Sequence, residues 1–170
     1  MAMKAEKDYE ELLRLFNKHK VRYCIIGSYA VAFYARPRYT KDIDILLDRG
    51  TNNSRRVVQA LNEFGFESLS LSEKDFRKKG NIIQLGYEPL RVDLLTGLEG
   101  LPFSRAWANK KRGFFGKQSV PFISLADLIL SKKKSKRLQD KIDMELLLAS
   151  QKKARTAKRR RRASKPSVLT

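Results

Sequence analysis

The feature that most constrains the fold is the run from Gly27 to Asp48, GSYAVAFYARPRYTKDIDILLD, in which two carboxylates interrupt a strongly apolar segment. Side chains two apart on a strand share a face, so a strand over 41–48 would place Asp42 and Asp44 on one face and the intervening isoleucines on the other. Two like charges this close repel, and each resists losing its water. A cation between them removes both penalties, so the pattern predicts a metal site.

The rest of the chain indicates an α/β (α+β) domain with a mixed β-sheet flanked by helices. Residues 6–19 have the apolar spacing of an amphipathic helix, and 21–27 resemble a strand. A short helix starts at Ser28 and cannot continue through Pro37. Further along, the sequence predicts a helix over 51–66, two strands within 81–95, a hairpin within 112–125 and helices within 124–134 and 136–150.

Length and composition predict one folded domain over residues 1–150. The chain has 170 residues, 42% of them hydrophobic, and a net charge of +19. Nine positive residues and no acid follow Gln151, which leaves +10 on the first 150 residues. Without apolar periodicity, 151–170 is expected to be a disordered basic tail. A surplus of positive charge of this size is typical of proteins that bind polyanions, so nucleic acid is an expected partner.

The location expected from the sequence is the cytoplasm. A single cysteine, Cys24, excludes an intramolecular disulfide and suits a reducing compartment. The N-terminus has no signal-peptide pattern, and no apolar run approaches the roughly 18 residues of a membrane span. We therefore expect no membrane association.

The turn before the acidic strand predicts a phosphate site. A helix that begins at Ser28 presents unpaired backbone N–H groups and the positive end of its dipole, and Gly27 lets a phosphate approach the backbone closely. Asp93, in the later run LRVDLL, could add a third carboxylate from a neighbouring strand. Oxygen ligands of this kind suit Mg²⁺, with Mn²⁺ as an alternative. Three acids on adjacent strands can hold two metals about 4 Å apart, a geometry for nucleotidyl transfer.

These motifs, in this order and spacing, resemble those of the nucleotidyltransferase (DNA polymerase β-like) superfamily, with its Gly-Ser, Asp-x-Asp and later Asp. The resemblance covers about 23–148. It implies that Asp42, Asp44 and Asp93 are the catalytic and metal-binding residues. It also implies a sheet with the active site along one edge and transfer of an NMP from an NTP to an acceptor hydroxyl.

The C-terminal helices are similar to those of small superfamily members related to AbiEii-type toxins, in which a Lys, an Arg and an Asp-x-x-Asp recur. The matching positions here are Lys132, Arg137, Asp140 and Asp143. Arg38 and Thr40 occupy positions where the family has a basic residue and a threonine before the acidic pair. The resemblance thus implies a nucleotide-binding set that consists of Gly27, Ser28, Arg38, Thr40, Lys132 and Arg137.

Several alternatives remain open on the sequence alone. Asp93 could simply face water or pair with a lysine, and Lys132 and Arg137 could be solvated helix charges. The basic tail favours RNA as the acceptor. A non-catalytic RNA-binding or antitoxin-like module of the same fold, with a toxin or antitoxin partner, is the alternative from another class. Nucleotidylation of a protein or small molecule is the third, and the oligomeric state is not determined.

Overall fold

The computed structural model describes residues 4–36, 40–87 and 91–164. The helices are α1 Lys4–Lys18, α2 Gly27–Tyr34, α3 Thr51–Leu61, α4 Glu73–Arg77, α5 Phe103–Asn109, α6 Leu125–Lys133 and α7 Leu138–Ala163. The strands are β1 Tyr23–Ile26, β2 Asp42–Leu47, β3 Ile82–Leu85, β4 Arg91–Leu95, β5 Lys111–Phe115 and β6 Gln118–Phe122.

The strands form one six-stranded mixed sheet in the order β3-β4-β2-β1-β6-β5. The pairs β2–β4 and β1–β6 are parallel, and the other neighbours are antiparallel. The predicted mixed α/β fold is therefore confirmed. The register places Asp44 beside Ile26 on one neighbouring strand and beside Asp93 on the other, so the centre of the sheet carries the candidate site.

The core forms where the apolar faces of the helices meet the sheet. On α1 the residues at helical spacing, Tyr9, Leu12, Leu13 and Phe16, are at most 2% exposed. This helix contacts α3 and β6, whereas α2 packs on β1 and β2 and contacts α6 and α7. Full burial of one such large apolar side chain stabilises the fold by about 1.5–3 kcal/mol. The helices therefore fix the central strands that hold the acidic residues.

The predicted strand pairs are present. β3 and β4 are antiparallel neighbours, with Gly86 after β3 at a positive φ of 79°, and β5 and β6 form the predicted hairpin. Pro89, the other residue that favours a turn between these strands, lies outside the described residues. The predicted helix over 51–66 ends earlier, because α3 passes at Leu61 into a π-helical turn that contains Gly65 at φ 116°.

The structure corrects the predicted disorder of the basic tail. α7 runs unbroken from Leu138 to Ala163, so the prediction is wrong for 151–163. Ala, Lys, Arg and Gln are strong helix formers, and a helix already nucleated by packing on α6 extends without a second nucleation cost. Residues 165–170 lie outside the described part of the chain.

No helix within 4–36, 40–87 or 91–164 is long and apolar enough to cross a membrane.

Candidate active site

The acidic pair lies on β2 as the alternation predicts. Asp42 and Asp44 are partly buried on one face, while Ile43 and Ile45 are fully buried on the other. Central strands tolerate such a pattern only when the polar face opens onto a cleft or a ligand, because a buried unpaired charge is costly. The sheet thus directs two carboxylates into one cleft beside α2.

Gly27 allows the start of α2 to approach these carboxylates. Its φ is 65°, a backbone conformation that L side chains rarely adopt. A Cβ at this position would lie 2.1 Å from Oδ2 of Asp44. Glycine is therefore required at this position for two reasons: the backbone conformation has a positive φ, and Asp44 occupies the space that a Cβ would fill. Ser28, the next residue of α2, also lines the cleft.

Asp93 lies on β4 directly beside Asp44 and is 8% exposed. Arg91 holds it in a two-point contact, with Nε donating to Oδ1 at 3.0 Å and Nη2 donating to Oδ2 at 2.9 Å. The same guanidinium lies 3.8 Å from Oδ2 of Asp42. Arg91 therefore links two of the three predicted carboxylates. Arg91 was not among the residues predicted for the site, although its position two before Asp93 on the same strand was a usable signal.

The electrostatics at Asp44 reflect crowding of negative charge. Burial, followed by the charges of the neighbouring Asp93 and Asp42, raises the pKa of its carboxyl from 3.8 to about 6. Arg91 and Lys132 oppose that shift. The chain's own cations thus offset only part of the repulsion among the three acids.

The donor set around Asp42 and Asp44 fits a divalent cation. Oδ1 of Asp42 is buried and has no hydrogen-bond partner, and Asp44 is crowded by like charge. Hard cations such as Mg²⁺ prefer carboxylate oxygens. Among the described residues, no group of three acidic, His or Cys side chains converges as a formed metal site. Both oxygens of Asp93 accept hydrogen bonds from Arg91, so the carboxylates that best fit a metal ion are Asp42 and Asp44 on β2.

Tyr9 anchors the strand ends that carry these acids. Its hydroxyl contacts the Lys41 carbonyl and lies 3.0 Å from the Arg91 carbonyl, and it accepts the Arg91 N–H at 3.2 Å. Burial, followed by the three nearby carboxylates, raises the pKa of Tyr9 to about 12 despite the opposing backbone hydrogen bond. The phenol therefore stays neutral and ties β2 to β4 at the residues just before Asp42 and at Arg91. From the sequence, Tyr9 is predicted only as one of the apolar residues of the first helix.

Lys132 organises the opposite wall of the cleft. It is 9% exposed, and its Nζ donates to Asp140 at 2.8 Å and to Asp143 at 3.0 Å. Gln139 donates to the other oxygen of Asp143, and Ser135 donates to the other oxygen of Asp140. This network joins α6 to the first turns of α7. Arg137 immediately precedes α7 and is exposed at the cleft.

One cleft of about 240 Å³ brings the predicted residues together. Its lining includes Gly27, Ser28, Thr40, Asp42, Asp44, Asp93, Lys132 and Arg137, together with Arg91 and Lys41. Thr40 donates from its hydroxyl to the Asp42 carbonyl at 3.2 Å. Arg38, the remaining predicted residue, lies outside the described residues. A larger cavity of about 680 Å³ near Asp48 and Gly97 contains none of the predicted site residues, so we assign the chemistry to the smaller, acid-lined cleft.

A family model for aminoglycoside-2''-adenylyltransferases matches residues 9–147 of the chain. The matched range begins at Tyr9 and includes all the residues that line this cleft. The chain belongs to the aminoglycoside-2''-adenylyltransferase family. It is therefore a nucleotidyltransferase, and the superfamily resemblance seen in the sequence is confirmed. Nucleotidyltransferases of this kind generally use divalent metal ions. No curated protein sequence matches the chain significantly.

Solved structures of antibiotic adenylyltransferases share the fold. The lincomycin-bound lincosamide adenylyltransferase LnuA is 19% identical, with a TM-score of 0.53 over 85% of this chain and 96% of its own. The solution structure of the antibiotic-resistance factor ANT(2'')-Ia is 14% identical, with a TM-score of 0.55 over 96% of each chain. A crystal structure of ANT(2'')-Ia with adenylyl-2''-tobramycin is 11% identical, with a TM-score of 0.56 over 87% of this chain and 90% of its own.

These comparisons favour a different kind of acceptor from the RNA that the sequence predicted. Both named neighbours are described with small-molecule antibiotics, and none of these matches involves an RNA acceptor or a toxin–antitoxin pair. The family match thus gives no support to an RNA acceptor, which the basic tail had favoured.

Proposed function

We propose that the protein transfers AMP from ATP to a hydroxyl group of a small molecule and releases pyrophosphate. The observation that carries the proposal is that Asp42, Asp44 and Asp93 line one cleft at the start of α2, in a chain whose family is named for adenylyl transfer. Small-molecule nucleotidylation was the third alternative from the sequence. The family match and the antibiotic-bound neighbours make it the favoured one.

The start of α2 and the basic residues of the cleft suit the triphosphate. Backbone N–H groups at a helix N-terminus bind anionic oxygens, and Gly27 leaves room for close approach. Arg137 is exposed at the cleft and can contact phosphate directly. Lys132 is already bonded to Asp140 and Asp143, so its part is to hold α6 and α7 and to add positive charge beneath the phosphates.

Asp42 and Asp44 are the residues that would hold Mg²⁺. Bound there, the metal would neutralise phosphate charge and stabilise the departing pyrophosphate. The unpartnered Oδ1 of Asp42 and the raised pKa of Asp44 both point to a missing positive charge at this place. A second metal shared with Asp93 would lie beside the Arg91 guanidinium, whose positive charge opposes it.

Asp93 is suited to accept the proton of the acceptor. The acceptor oxygen forms a bond to the α-phosphorus, the bond from that phosphorus to the pyrophosphate oxygen breaks, and the hydroxyl proton passes to Asp93. Arg91 fixes the orientation of the carboxylate with two hydrogen bonds, and each oxygen keeps a further lone pair as an acceptor. Orientation of this kind lowers the entropic part of the barrier.

The experiment that tests the acceptor uses the full chain with Mg²⁺ and each of the four NTPs. The acceptors are a lincosamide, an aminoglycoside and total RNA, and mass spectrometry reads the mass gained by each. We expect a gain of one AMP on at least one small molecule, with ATP as donor and RNA unchanged. Nucleotide added to RNA alone, or to none of the small molecules, would contradict the proposal.

A further inference from the structure

The last part of α7 is a cationic helix that the active site does not use. We call the segment 151–163 the basic extension. It carries eight positive residues and no acid: Lys152, Lys153, Arg155, Lys158, Arg159, Arg160, Arg161 and Arg162. All of these side chains are exposed. At 1.5 Å per residue the extension is about 20 Å long.

The basic extension leaves the body of the protein at Ser150. Within the described residues, the last hydrogen bond from α7 to another element joins the Ser150 hydroxyl to the Tyr34 carbonyl at 2.5 Å. Beyond it, the hydrogen bonds of side chains are local to the extension, such as that from Thr156 to the Lys152 carbonyl. No acidic partner from the described part of the body reaches these cations.

Like charges three or four apart on a helix repel each other, and the extension contains such pairs, for example Arg155 with Arg159 and Lys158 with Arg162. The helix therefore carries an unfavourable electrostatic term that a polyanion would remove. Five of the eight cations are arginines, whose planar guanidinium groups bind phosphate oxygens in pairs.

The charges surround the helix, because successive positions are about 100° apart. Residues 149–163 include no large apolar side chain, only small or polar ones between the charges. A helix that inserts into a membrane surface needs an apolar face of Leu, Phe or Trp. The pattern therefore favours a partner that offers phosphates around the helix over a bilayer that would need an apolar side.

We infer that the basic extension is a docking element for the phosphate backbone of a double-stranded nucleic acid. The inference is independent of the acceptor in the active site, because docking requires charge and helix but no chemistry. Since α7 also carries Asp140 and Asp143 of the cleft wall, a bound duplex would be held on the same helix as the site. The shared ligand chemistry is a regular array of phosphates, which duplex RNA and duplex DNA both supply.

Binding of the full chain to labelled duplex RNA and duplex DNA of the same sequence tests the inference. One variant replaces Arg159, Arg160, Arg161 and Arg162 by Gln, which keeps helix propensity and removes four charges. The matched control replaces four exposed lysines of the body by Gln: Lys74, Lys78, Lys79 and Lys117. Circular dichroism and thermal unfolding check that both variants fold.

We expect wild-type affinity to fall about 10³-fold or more between low and moderate salt, as neutralisation of six or more phosphates predicts. The arginine variant should bind at least tenfold more weakly than the control. Whichever duplex the wild type binds more tightly, RNA or DNA, is identified as the partner. Equal losses in both variants, or affinity that does not depend on salt, would overturn the inference. Tighter binding to phosphatidylserine vesicles than to either duplex would also overturn it and assign the extension to a membrane surface.

Discussion

At the scale of single residues, the close approach of Gly27 to Asp44 brings the start of α2 against the acidic pair of β2. We predict that Gly27→Ala lowers AMP transfer at least 100-fold, because its Cβ would meet Asp44 Oδ2 at 2.1 Å and displace the carboxylate. Gly80→Ala is the matched control, since Gly80 has a similar φ of 67° and nothing within 4 Å of its Cβ. Both variants should lose about 1 kcal/mol or more of stability from the backbone.

Transfer assays and urea unfolding on the two variants separate these effects. Equal loss of activity in both would show that backbone strain alone is responsible and that the contact with Asp44 is unimportant.

The raised pKa of Asp44 predicts how the stability of the metal-free protein depends on pH. The folded state holds the proton to about pH 6, whereas the unfolded chain releases it near the ordinary value of 3.8. This stabilisation is therefore complete below about pH 4 and is lost as the pH rises through about 6. Its upper size is about 3 kcal/mol. Chelator-treated wild type should lose stability relative to Asp44→Asn over this range, as measured by urea unfolding at successive pH values.

A stability difference between wild type and Asp44→Asn that stays constant from pH 4 to pH 7 would contradict this assignment of the shifted pKa. Addition of Mg²⁺ at pH 7 should restore stability to the wild type, because the metal replaces the lost proton as a positive partner.

Arg91 supplies positive charge where a metal is also expected to lie. Removal of that charge in Arg91→Gln should strengthen binding of Mn²⁺ to the metal-free protein several-fold, since Asp42 and Asp93 would then lack their shared guanidinium. Turnover should nevertheless fall, because Asp93 loses the two hydrogen bonds that orient it. Mn²⁺ affinity is measured by electron paramagnetic resonance. Arg22→Gln, which removes a 3.3 Å pair with Asp48 beyond the other end of β2, is the control and should leave Mn²⁺ affinity unchanged. Weaker Mn²⁺ binding by Arg91→Gln would contradict the prediction that Arg91 and a metal ion compete for the same carboxylates.

Much of the site's composition could be predicted from the sequence, because its main signals are local. Alternation on one strand placed Asp42 and Asp44 on a common face, and the Gly-Ser pair predicted a turn at Gly27 before them, although its close approach to Asp44 was not predicted. Tyr9 and Arg91 could not be assigned in the same way. Their roles depend on which strands become neighbours, since the Tyr9 hydroxyl joins strand ends that are 50 residues apart in the chain, at Lys41 and Arg91.

At the scale of elements, α6 and α7 are joined by the buried cluster around Lys132. Replacement of Lys132 by Met would leave Asp140 and Asp143 without their cation, and loss of one partner from a buried ion pair destabilises by about 3–5 kcal/mol. We therefore expect a large fall in the free energy of unfolding. The exposed neighbour Lys133 is the control, and Lys133→Met should change stability by about 0.5 kcal/mol or less.

Addition of Asp143→Asn to Lys132→Met should recover part of the loss, because one unpaired charge is then removed. If Lys132→Met and Lys133→Met unfold at the same urea concentration, the cluster does not hold the two helices together.

Long elements with a clear apolar period were predictable, and short ones were not. α1 and the strands bury regular faces, whereas α5 buries only Ala106 among seven residues and gives no period. α4 has five residues and depends on a capping box between Ser72 and Asp75, a local signal that the sequence analysis did not use. The helical basic extension was missed for a different reason, because helix propensity acted there without any buried face.

At the scale of the whole molecule, the excess of positive charge bears on both substrates. With a net charge of +19, the chain attracts the polyanionic triphosphate over distances up to about 10 Å at ordinary salt. Many acids of the body are already engaged in ion pairs, such as Asp127 with Arg105 and Asp93 with Arg91. The excess of positive charge therefore favours the triphosphate, whereas the acid-lined cleft itself does not exclude a cationic acceptor.

The most direct test of the account compares AMP transfer from α-labelled ATP by the wild type, Asp44→Asn and Asp48→Asn. The control residue Asp48 directly follows β2, caps the Gly50 N–H at 3.0 Å and lies outside the cleft. With an acceptor that the wild type modifies, we predict that Asp48→Asn retains transfer and that Asp44→Asn, although folded, loses it by at least 10³-fold. Transfer by Asp44→Asn at the wild-type rate would contradict the assignment of catalysis to this cleft.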